Sequence, residues 1–416
     1  MKDITITGTP KEIAEAIKKI CKSLKGAKIT ALIPKGVEVI EDGAFSDCSG
    51  LTAVVLPDTL KVISRWAFAR CSGLTTIRIP KSVTTIGGGA FRGCSGLTAV
   101  VWNATNCTSA GSFIFPAFEG CYNLKTVMFA DNVETIPDAA FSCCIGLTSV
   151  TIPNSVKSIG ELAFAYSSLR MITIGNGVES IGYDAFQGCE LNCKTYENGL
   201  YIGNGRNPYI VLIKAKDKSC TSFKIHPNTK VIYNDAFHDC TDLTSVTIPN
   251  GVTHIGAQAF KWCNSLPSIT IPASVREIGN GAFALCRWLT SISIPNGVTK
   301  IGKNTFSGCS ALTYVIIPNG VTEIGKNAFA GCEKLTAVVI PEGVAKIGDN
   351  AFDRCFDMRV VIVPKSVKYI GAEAFDMGCN SRVEYLGTKA DWDAIGKGIY
   401  WASPKCSIRC YDGEIK

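Results

Sequence analysis

The sequence predicts an α/β solenoid, with a ladder of parallel strands on one face and short α-helical or 3₁₀ turns on the other. Three observations predict it: a motif recurring at a fixed period, an alternating β-branched run in each copy, and an apolar face that one copy cannot bury alone. Composition agrees with a globular chain, since 46% of the 416 residues are hydrophobic and 19% are charged.

The position of each copy is marked by the first residue after its strand, which is most often proline. The strand itself ends on an apolar residue. Ten of the thirteen intervals between marks are 23 residues, and a phenylalanine follows in a fixed frame in all fourteen copies. This regularity predicts identical coils that stack on one another. The marks are Pro34, Pro57, Pro80, Asn103, Ala130, Pro153, Gly175, His226, Pro249, Pro272, Pro295, Pro318, Pro341 and Pro364.

Within a copy, the pattern changes from strand to turn. Residues 243–248, Leu-Thr-Ser-Val-Thr-Ile, alternate and predict a short strand, which ends because Pro249 cannot donate to a ladder. The following Val-x-x-Ile-Gly-x-x-Ala-Phe has a spacing of about three, which favours a 3₁₀ or α-helical turn. Glu41, Ser64, Pro137 and Tyr233 replace the glycine in some copies, so we expect that glycine to serve close packing rather than a left-handed turn.

Residues 1–27 predict an N-terminal cap, because a solenoid must cover its terminal apolar face. A strand is expected at residues 4–6. Thr9, Pro10 and Glu12 then form a helix start with a capping box. The apolar stripe of that helix is Ile13, Ile17, Ile20 and Cys21.

Residues 381–416 abandon the period and predict a C-terminal cap. Thr388, Ala390 and Asp391 favour a helix start, and Trp392, Ile395 and Trp401 are expected to cover the last coil. A ligand platform built from Trp392 and Trp401 is the alternative.

The interval between Gly175 and His226 is 51 residues and therefore contains an insertion. Turn signals at Asn198-Gly199 and Asn204-Gly205 beside two β-rich runs predict a β-hairpin extension over residues 190–224. The insertion separates repeats 1–7 (28–189) from repeats 8–14 (225–380) in what we expect to be one continuous solenoid domain. A structural elaboration and a partner-binding prong are both open.

Twelve of the twenty cysteines occupy one position of the repeat. Stacking would align their Cβ vectors in parallel, which is wrong for a disulfide, so a column of buried free thiols is expected. Cys379, Cys406 and Cys410 lie outside this column, and a disulfide or a metal site among them stays open. The column residues are Cys48, Cys71, Cys94, Cys121, Cys144, Cys189, Cys240, Cys263, Cys286, Cys309, Cys332 and Cys355.

No pattern in the sequence indicates an enzyme, a cofactor site or a metal site. The three histidines are in no metal-binding frame, and the glycine-rich pieces lack the Lys-Ser/Thr of a phosphate loop. The net charge of +7 is spread thinly, unlike a nucleic-acid footprint. No apolar run reaches the ~18 residues of a membrane span, and the first 26 residues do not resemble a signal peptide.

The pattern L-x-x-V-x-I-P-x-x-V-x-x-I-G-x-x-A-F-x-x-C, over about residues 28–385, resembles the BspA-type leucine-rich repeat of bacterial and protist surface proteins. The resemblance implies a right-handed leucine-rich-repeat arc of 23-residue units. It also implies a cell-surface or secreted, adhesin-like protein that binds host or extracellular-matrix proteins. An intracellular structural scaffold is the alternative, because the chain carries no recognisable export signal.

The outward strand residues suggest where a protein partner would bind. In the middle repeats these residues are serines and threonines, which we expect to satisfy one another across strands. The last three strands instead present an apolar stripe, which marks a contact surface unless the C-terminal segment or a neighbouring molecule in a crystal covers it. The candidate partner-binding residues are Tyr314, Ile316, Val339, Val360 and Ile362.

Overall fold

The computed structural model describes residues 3–23, 28–376, 381–403 and 406–415. The chain divides into two compact units. The first unit comprises Met1–Cys193 with Ile202–Pro208, and the second comprises Lys194–Tyr201 with Tyr209–Lys416. In each unit the coils stack through parallel strands, as the predicted solenoid requires.

One ladder in each unit, divided into three hydrogen-bonded sheets, consists of the strands predicted from the alternating runs. Their inward residues are buried and their outward residues are largely exposed, as in Val150 between Ser149 and Thr151. In the first unit the strands are β1 (Asp3–Thr7), β2 (Lys28–Leu32), β4 (Leu51–Val55), β6 (Thr76–Ile79), β8 (Ala99–Trp102), β10 (Thr126–Phe129), β12 (Ser149–Thr151) and β14 (Met171–Thr173). In the second unit they are β19 (Ser222–Lys224), β21 (Ser245–Thr247), β24 (Ser291–Ser293), β26 (Tyr314–Ile316), β28 (Ala337–Val339) and β30 (Val360–Val363).

A second ladder of two-residue strands occupies the segment for which helical turns were expected. It ends on the second isoleucine of each copy, or on Ala110 in the fourth copy, for example where Lys300–Ile301 pairs with Glu323–Ile324. In the first unit it contains β3 (Val39–Ile40), β5 (Val62–Ile63), β7 (Thr85–Ile86), β9 (Ser109–Ala110), β11 (Thr135–Ile136), β13 (Ser158–Ile159) and β15 (Ser180–Ile181). In the second unit it contains β20 (Val231–Ile232), β22 (His254–Ile255), β23 (Glu277–Ile278), β25 (Lys300–Ile301), β27 (Glu323–Ile324), β29 (Lys346–Ile347) and β31 (Tyr369–Ile370).

Hydrogen bonding between coils explains why these segments are not helical. The backbone N–H groups of Trp66, Phe68 and Arg70 donate to carbonyls of the next coil, at 3.2, 2.7 and 2.7 Å. This direction of the N–H groups requires a left-handed backbone at Trp66 (φ 58°) and Arg70 (φ 57°). The expected helical turn was therefore wrong in detail, because alternate N–H groups bond to the neighbouring coil and only those between them, such as Ala69 to the Trp66 carbonyl at 2.9 Å, close local turns.

The core of each unit is built around a column of phenylalanine rings. Successive rings from Phe45 to Phe186, and from Phe237 to Phe375, stack with centroids 4.8–6.0 Å apart. Most of these rings are completely buried. Their spacing follows the separation of neighbouring strands, about 4.8 Å, so each coil seals the apolar face of the one beside it.

The glycine after the second isoleucine allows the coils to approach closely. A Cβ added at Gly279 would lie 2.4 Å from the backbone nitrogen of Ala257, and one at Gly371 would lie 2.4 Å from that of Asp349. Neither glycine has a positive φ. Close packing is therefore the reason for glycine here, in agreement with the sequence-based expectation.

The ends of the chain carry two helices. Helix α1 (Pro10–Ser23) begins with the Thr9–Glu12 capping box and buries Ile13 and Ile17 completely. Helix α2 (Lys389–Asp393) has Thr388 as its N-cap and buries Trp392. Three strands, β32 (Arg382–Tyr385), β34 (Ser407–Cys410) and β35 (Gly413–Ile415), continue the ladder after β30, and β33 (Gly396–Lys397) continues the short ladder.

The insertion forms a hairpin and then rejoins the solenoid. Strands β16 (Lys194–Tyr196) and β17 (Gly199–Ile202) pair antiparallel around Asn198. Strand β18 (Val211–Ala215) pairs in parallel with β20 and so belongs to the short ladder of the second unit. Residues 203–207 form a tight loop in the first unit.

Candidate protein-binding site

The candidate site is the outward face of strands β26, β28 and β30 in the second unit. Because side chains alternate along a strand, Val315, Val338 and Val361 enter the core and leave their neighbours on the surface. We call the outward residues the apolar stripe: Tyr314, Ile316, Ala337, Val339, Val360 and Ile362.

The apolar stripe is open to solvent. Tyr314 is 57% exposed, Ile316 46% and Val339 59%, while Val360 and Ile362 are half-buried. The described residues of the C-terminal segment do not fold over it, because β32 and β34 extend the same ladder sideways. The alternative that this segment covers the stripe was therefore wrong.

The two borders of the apolar stripe are polar. On one side Ser291 and Ser293 pair in register with Tyr314 and Ile316. On the other side Arg382 and Glu384 pair with Val360 and Ile362, and Arg382 Nη2 lies 2.6 Å from Glu384 Oε1. An apolar centre with a polar rim is the usual anatomy of a protein interface.

The serine and threonine rows beside the stripe do not behave as expected. Among the described residues, the outward hydroxyls of Ser245, Thr247, Ser291 and Ser293 make no side-chain hydrogen bond across strands. Parallel strands are about 4.8 Å apart, so two hydroxyls in register meet only when their side chains turn toward each other, as Ser158 Oγ and Thr135 Oγ1 do at 3.2 Å on the short ladder. The expected mutual satisfaction was wrong, and these hydroxyls face water.

The cysteine column is confirmed as a set of free thiols. All twelve cysteines are free, eleven are buried and Cys189 is half-buried. Each thiol from Cys263 to Cys355 donates to the phenylalanine carbonyl of the preceding coil, at 3.0–3.3 Å. Burial raises the pKa of the Cys309 thiol to about 12, which is the reverse of what a nucleophile needs.

The histidines lie at separate places in the structure and do not form a common site. His254 Nδ1 lies 3.2 Å from Glu277 Oε2, and this hydrogen bond lowers the pKa of Glu277. His226 stacks on Tyr209 with ring centroids 4.0 Å apart, and burial lowers the pKa of His226. No cluster of three or more His, Cys, Asp or Glu that could hold a metal ion occurs within the described ranges.

The C-terminal cysteines do not form the disulfide left open by the sequence, as far as they are described. Cys406 and Cys410 are both free thiols, half-buried and buried respectively. Cys379 lies outside the described residues. Trp392 and Trp401, the alternative ligand platform, contact each other at 5.4 Å and pack on the core instead.

A groove in the first unit was missed by the sequence analysis. It has a volume of about 950 Å³ and lies over strands β10, β12 and β14. Its wall includes Asn204, Gly205 and Arg206 from the inserted segment, which is remote in sequence from the strands beneath it. Only the Asn-Gly turn signal at residues 204–205 pointed to this loop.

One repeat family accounts for the 23-residue period, the two ladders and the thiol column. The family model for the BspA-type leucine-rich repeat region matches residues 15–116, 115–205, 215–302 and 277–406. The chain belongs to the BspA-type leucine-rich repeat family. The resemblance stated from the sequence is thereby confirmed, and with it the leucine-rich repeat fold class.

Several solved structures of leucine-rich repeat proteins are similar to this chain. A leucine-rich repeat protein from Bacteroides ovatus is 26% identical, with a TM-score of 0.35, over 94% of this chain and 84% of that one. A leucine rich cell surface protein from Faecalibacterium prausnitzii is also 26% identical, with a TM-score of 0.30, over 95% and 90%. A leucine-rich repeat protein from Eubacterium ventriosum is 22% identical, with a TM-score of 0.39, over 88% and 86%. A search of curated proteins found no match.

Membership of this leucine-rich repeat family is consistent with a protein-interaction module. Within the described part of the chain, neither helix has the length and apolar character needed to span a bilayer.

Proposed function

We propose that the protein is a non-enzymatic binding module that docks a protein partner on the apolar stripe of its second unit. The observation that supports this most is the exposure of Tyr314, Ile316 and Val339 on the neighbouring strands β26 and β28. Surface tyrosines on a rigid scaffold are frequent energetic centres of protein interfaces, because they bury much area at little entropic cost.

We further propose that the partner is a host or extracellular-matrix protein, so that the protein acts as a cell-surface or secreted adhesin. Family membership supports this assignment, since BspA-type repeats are described from surface proteins. The stripe itself favours a protein, because its apolar centre and polar rim match a protein interface better than a small-molecule cavity.

The test begins with the intact protein immobilised on a resin. It is presented in parallel with solubilised extracellular-matrix proteins and with a lysate of the producing cell, and each captured protein is purified. Affinity for the purified partner is then measured by calorimetry for the wild type and for a double variant, Tyr314→Ser with Ile316→Thr.

The double variant is expected to bind at least tenfold more weakly, because it removes the exposed aromatic ring of the stripe and the exposed aliphatic side chain on the same strand. Its melting temperature should stay within about 2 °C of wild type, since both side chains are substantially exposed. The matched control is Phe356→Ser, which removes an exposed ring (59%) elsewhere in the second unit and should leave affinity unchanged.

Two results would contradict the proposal. Unchanged affinity in the double variant would remove the stripe from the interface. Capture only from the producing cell, and not from matrix proteins, would replace the adhesin assignment with an intracellular scaffold.

A further inference from the structure

The groove in the first unit has a floor of polar strand residues and a wall provided by the insertion. Its floor contains the outward residues Thr126, Ser149, Thr151 and Thr173, together with Met128. Its volume of about 950 Å³ is at the upper end of the ~300–1,000 Å³ range of ligand sites. The space therefore suits a short oligomer rather than a single small molecule.

The wall is held firmly on the strands below it. Asn204 Nδ2 donates to the Ile174 carbonyl at 2.8 Å, and its Oδ1 accepts from the backbone N–H groups of Arg206 and Asn207 at 3.0 and 2.9 Å. Gly203 also forms a parallel bridge with Thr173. The loop thus holds the Arg206 backbone in a defined place at the rim, which preorganises the site.

The floor offers hydroxyl groups that have no protein partner. Across the described chain, the hydroxyls of Thr126, Ser149, Thr151 and Thr173 make no hydrogen bond to another side chain or to backbone. All four residues are exposed. They form rows spaced by the strand separation of about 4.8 Å, and each can both donate and accept.

The charged groups at the groove favour an anionic ligand. Arg206 lies on the wall and Lys125 at the start of β10, and neither has an ion pair with any residue that the structure describes. Asp131 is the one acidic residue among those lining the groove, so its net charge is +1. A guanidinium at a rim can bind a carboxylate through two parallel hydrogen bonds.

The kinds of side chain exposed in the groove distinguish between ligands of this charge. Peptides are usually anchored by apolar side chains that enter pockets, whereas the apolar side chains with exposed surface here are Met128 (49% exposed) and the half-buried Phe129 and Pro153. A chain of sugar rings instead presents several hydroxyls per unit, which match the free hydroxyls of the floor. We propose that the groove binds an acidic oligosaccharide, with a uronate carboxylate on Arg206 and sugar hydroxyls on Ser149, Thr151 and Thr173.

The experiment titrates the intact protein with α-1,4-linked tetragalacturonate by calorimetry. Saturable binding with a Kd below about 1 mM is expected. Arg206→Gln should weaken it about tenfold, by loss of the charged hydrogen bonds. Thr151→Val, which removes one hydroxyl and keeps the side-chain shape, should weaken it about fivefold. The matched control is Thr247→Val on β21 of the second unit, which should have no effect.

Two further ligands separate the alternatives. The methyl-esterified tetrasaccharide keeps its hydroxyls but loses its charge. It should bind to the wild type about tenfold more weakly than tetragalacturonate does. The Arg206→Gln variant should bind the ester and tetragalacturonate with equal affinity. The acidic hexapeptide GESEDG should not bind. Each of three results would overturn the proposal: tetragalacturonate does not bind saturably, Thr247→Val loses as much affinity as Thr151→Val, or the peptide binds more tightly than tetragalacturonate. None of these results bears on the apolar stripe.

Discussion

At the residue scale, the cysteine and phenylalanine of each coil form one repeated contact. The Cys286 thiol donates to the Phe260 carbonyl at 3.0 Å, and Cys309 donates to Phe283 at 3.1 Å. The sequence correctly predicts a buried column, because parallel Cβ vectors cannot form disulfides. It does not predict the carbonyl partner, which depends on the orientation of the turn that follows each phenylalanine.

The neighbours Cys143 and Cys144 allow a direct test of thiol burial. Cys144 is fully buried and burial raises the pKa of its thiol, whereas Cys143 is half-buried. A raised pKa means less thiolate at any pH below it, so iodoacetamide at pH 8 should alkylate Cys143 and leave Cys144 unmodified. Mass spectrometry of tryptic peptides measures both sites at once.

Cys144 should become reactive only when urea unfolds the protein. Equal alkylation of both residues in the folded protein would show that the column is open to solvent.

At the element scale, the strand ladders could be predicted and the turns between them could not. Alternation over residues 243–248 is sufficient for a strand, because it specifies which side chains face the core. The left-handed residues were missed, although Asn304, Asn327 and Asn350 occupy that position in three successive coils. Trp66 and Leu162 take the same left-handed conformation, so asparagine is not a consistent marker of this position. The hydrogen bonds between coils impose the left-handed backbone even on residues that do not favour it.

The two candidate sites also differ in how far the sequence predicts them. The apolar stripe could be predicted, because its residues lie on strands whose period is visible in the sequence. The groove could not, since it depends on how Asn204 docks on Ile174, 30 residues away along the chain.

The C-terminal elements should be important for stability. Trp392 is 2% exposed and contacts Tyr385 and Trp401, so Trp392→Ala should lower the free energy of unfolding by about 3–5 kcal/mol. The control within the same unit is Trp288→Ala, which removes a ring that is 68% exposed and should change it by less than about 0.5 kcal/mol. Urea unfolding followed by circular dichroism measures both. A similar small effect for the two variants would show that α2 does not seal the last coil.

At the scale of the whole molecule, the repeat dictates the architecture and leaves the partner undetermined. A 23-residue period with one phenylalanine per coil requires stacking, because no single coil can bury that ring. The two compact units meet in sequence within the insertion, and this boundary could not be predicted from the sequence. It depends on which residues contact one another in the folded chain. Binding depends on what the exposed faces present, and the period carries no information about that.

The stacked phenylalanine column is the central claim, and two substitutions in the second unit test it. Phe260 is completely buried between Phe237 and Phe283, with centroids at 4.8 and 5.3 Å, whereas Phe356 is 59% exposed. The measurement is the free energy of unfolding of Phe260→Ala compared with Phe356→Ala. We expect a loss of about 3–5 kcal/mol for the first and less than about 0.5 kcal/mol for the second. Equal stability of the two variants would mean that the rings do not form the core of the stack.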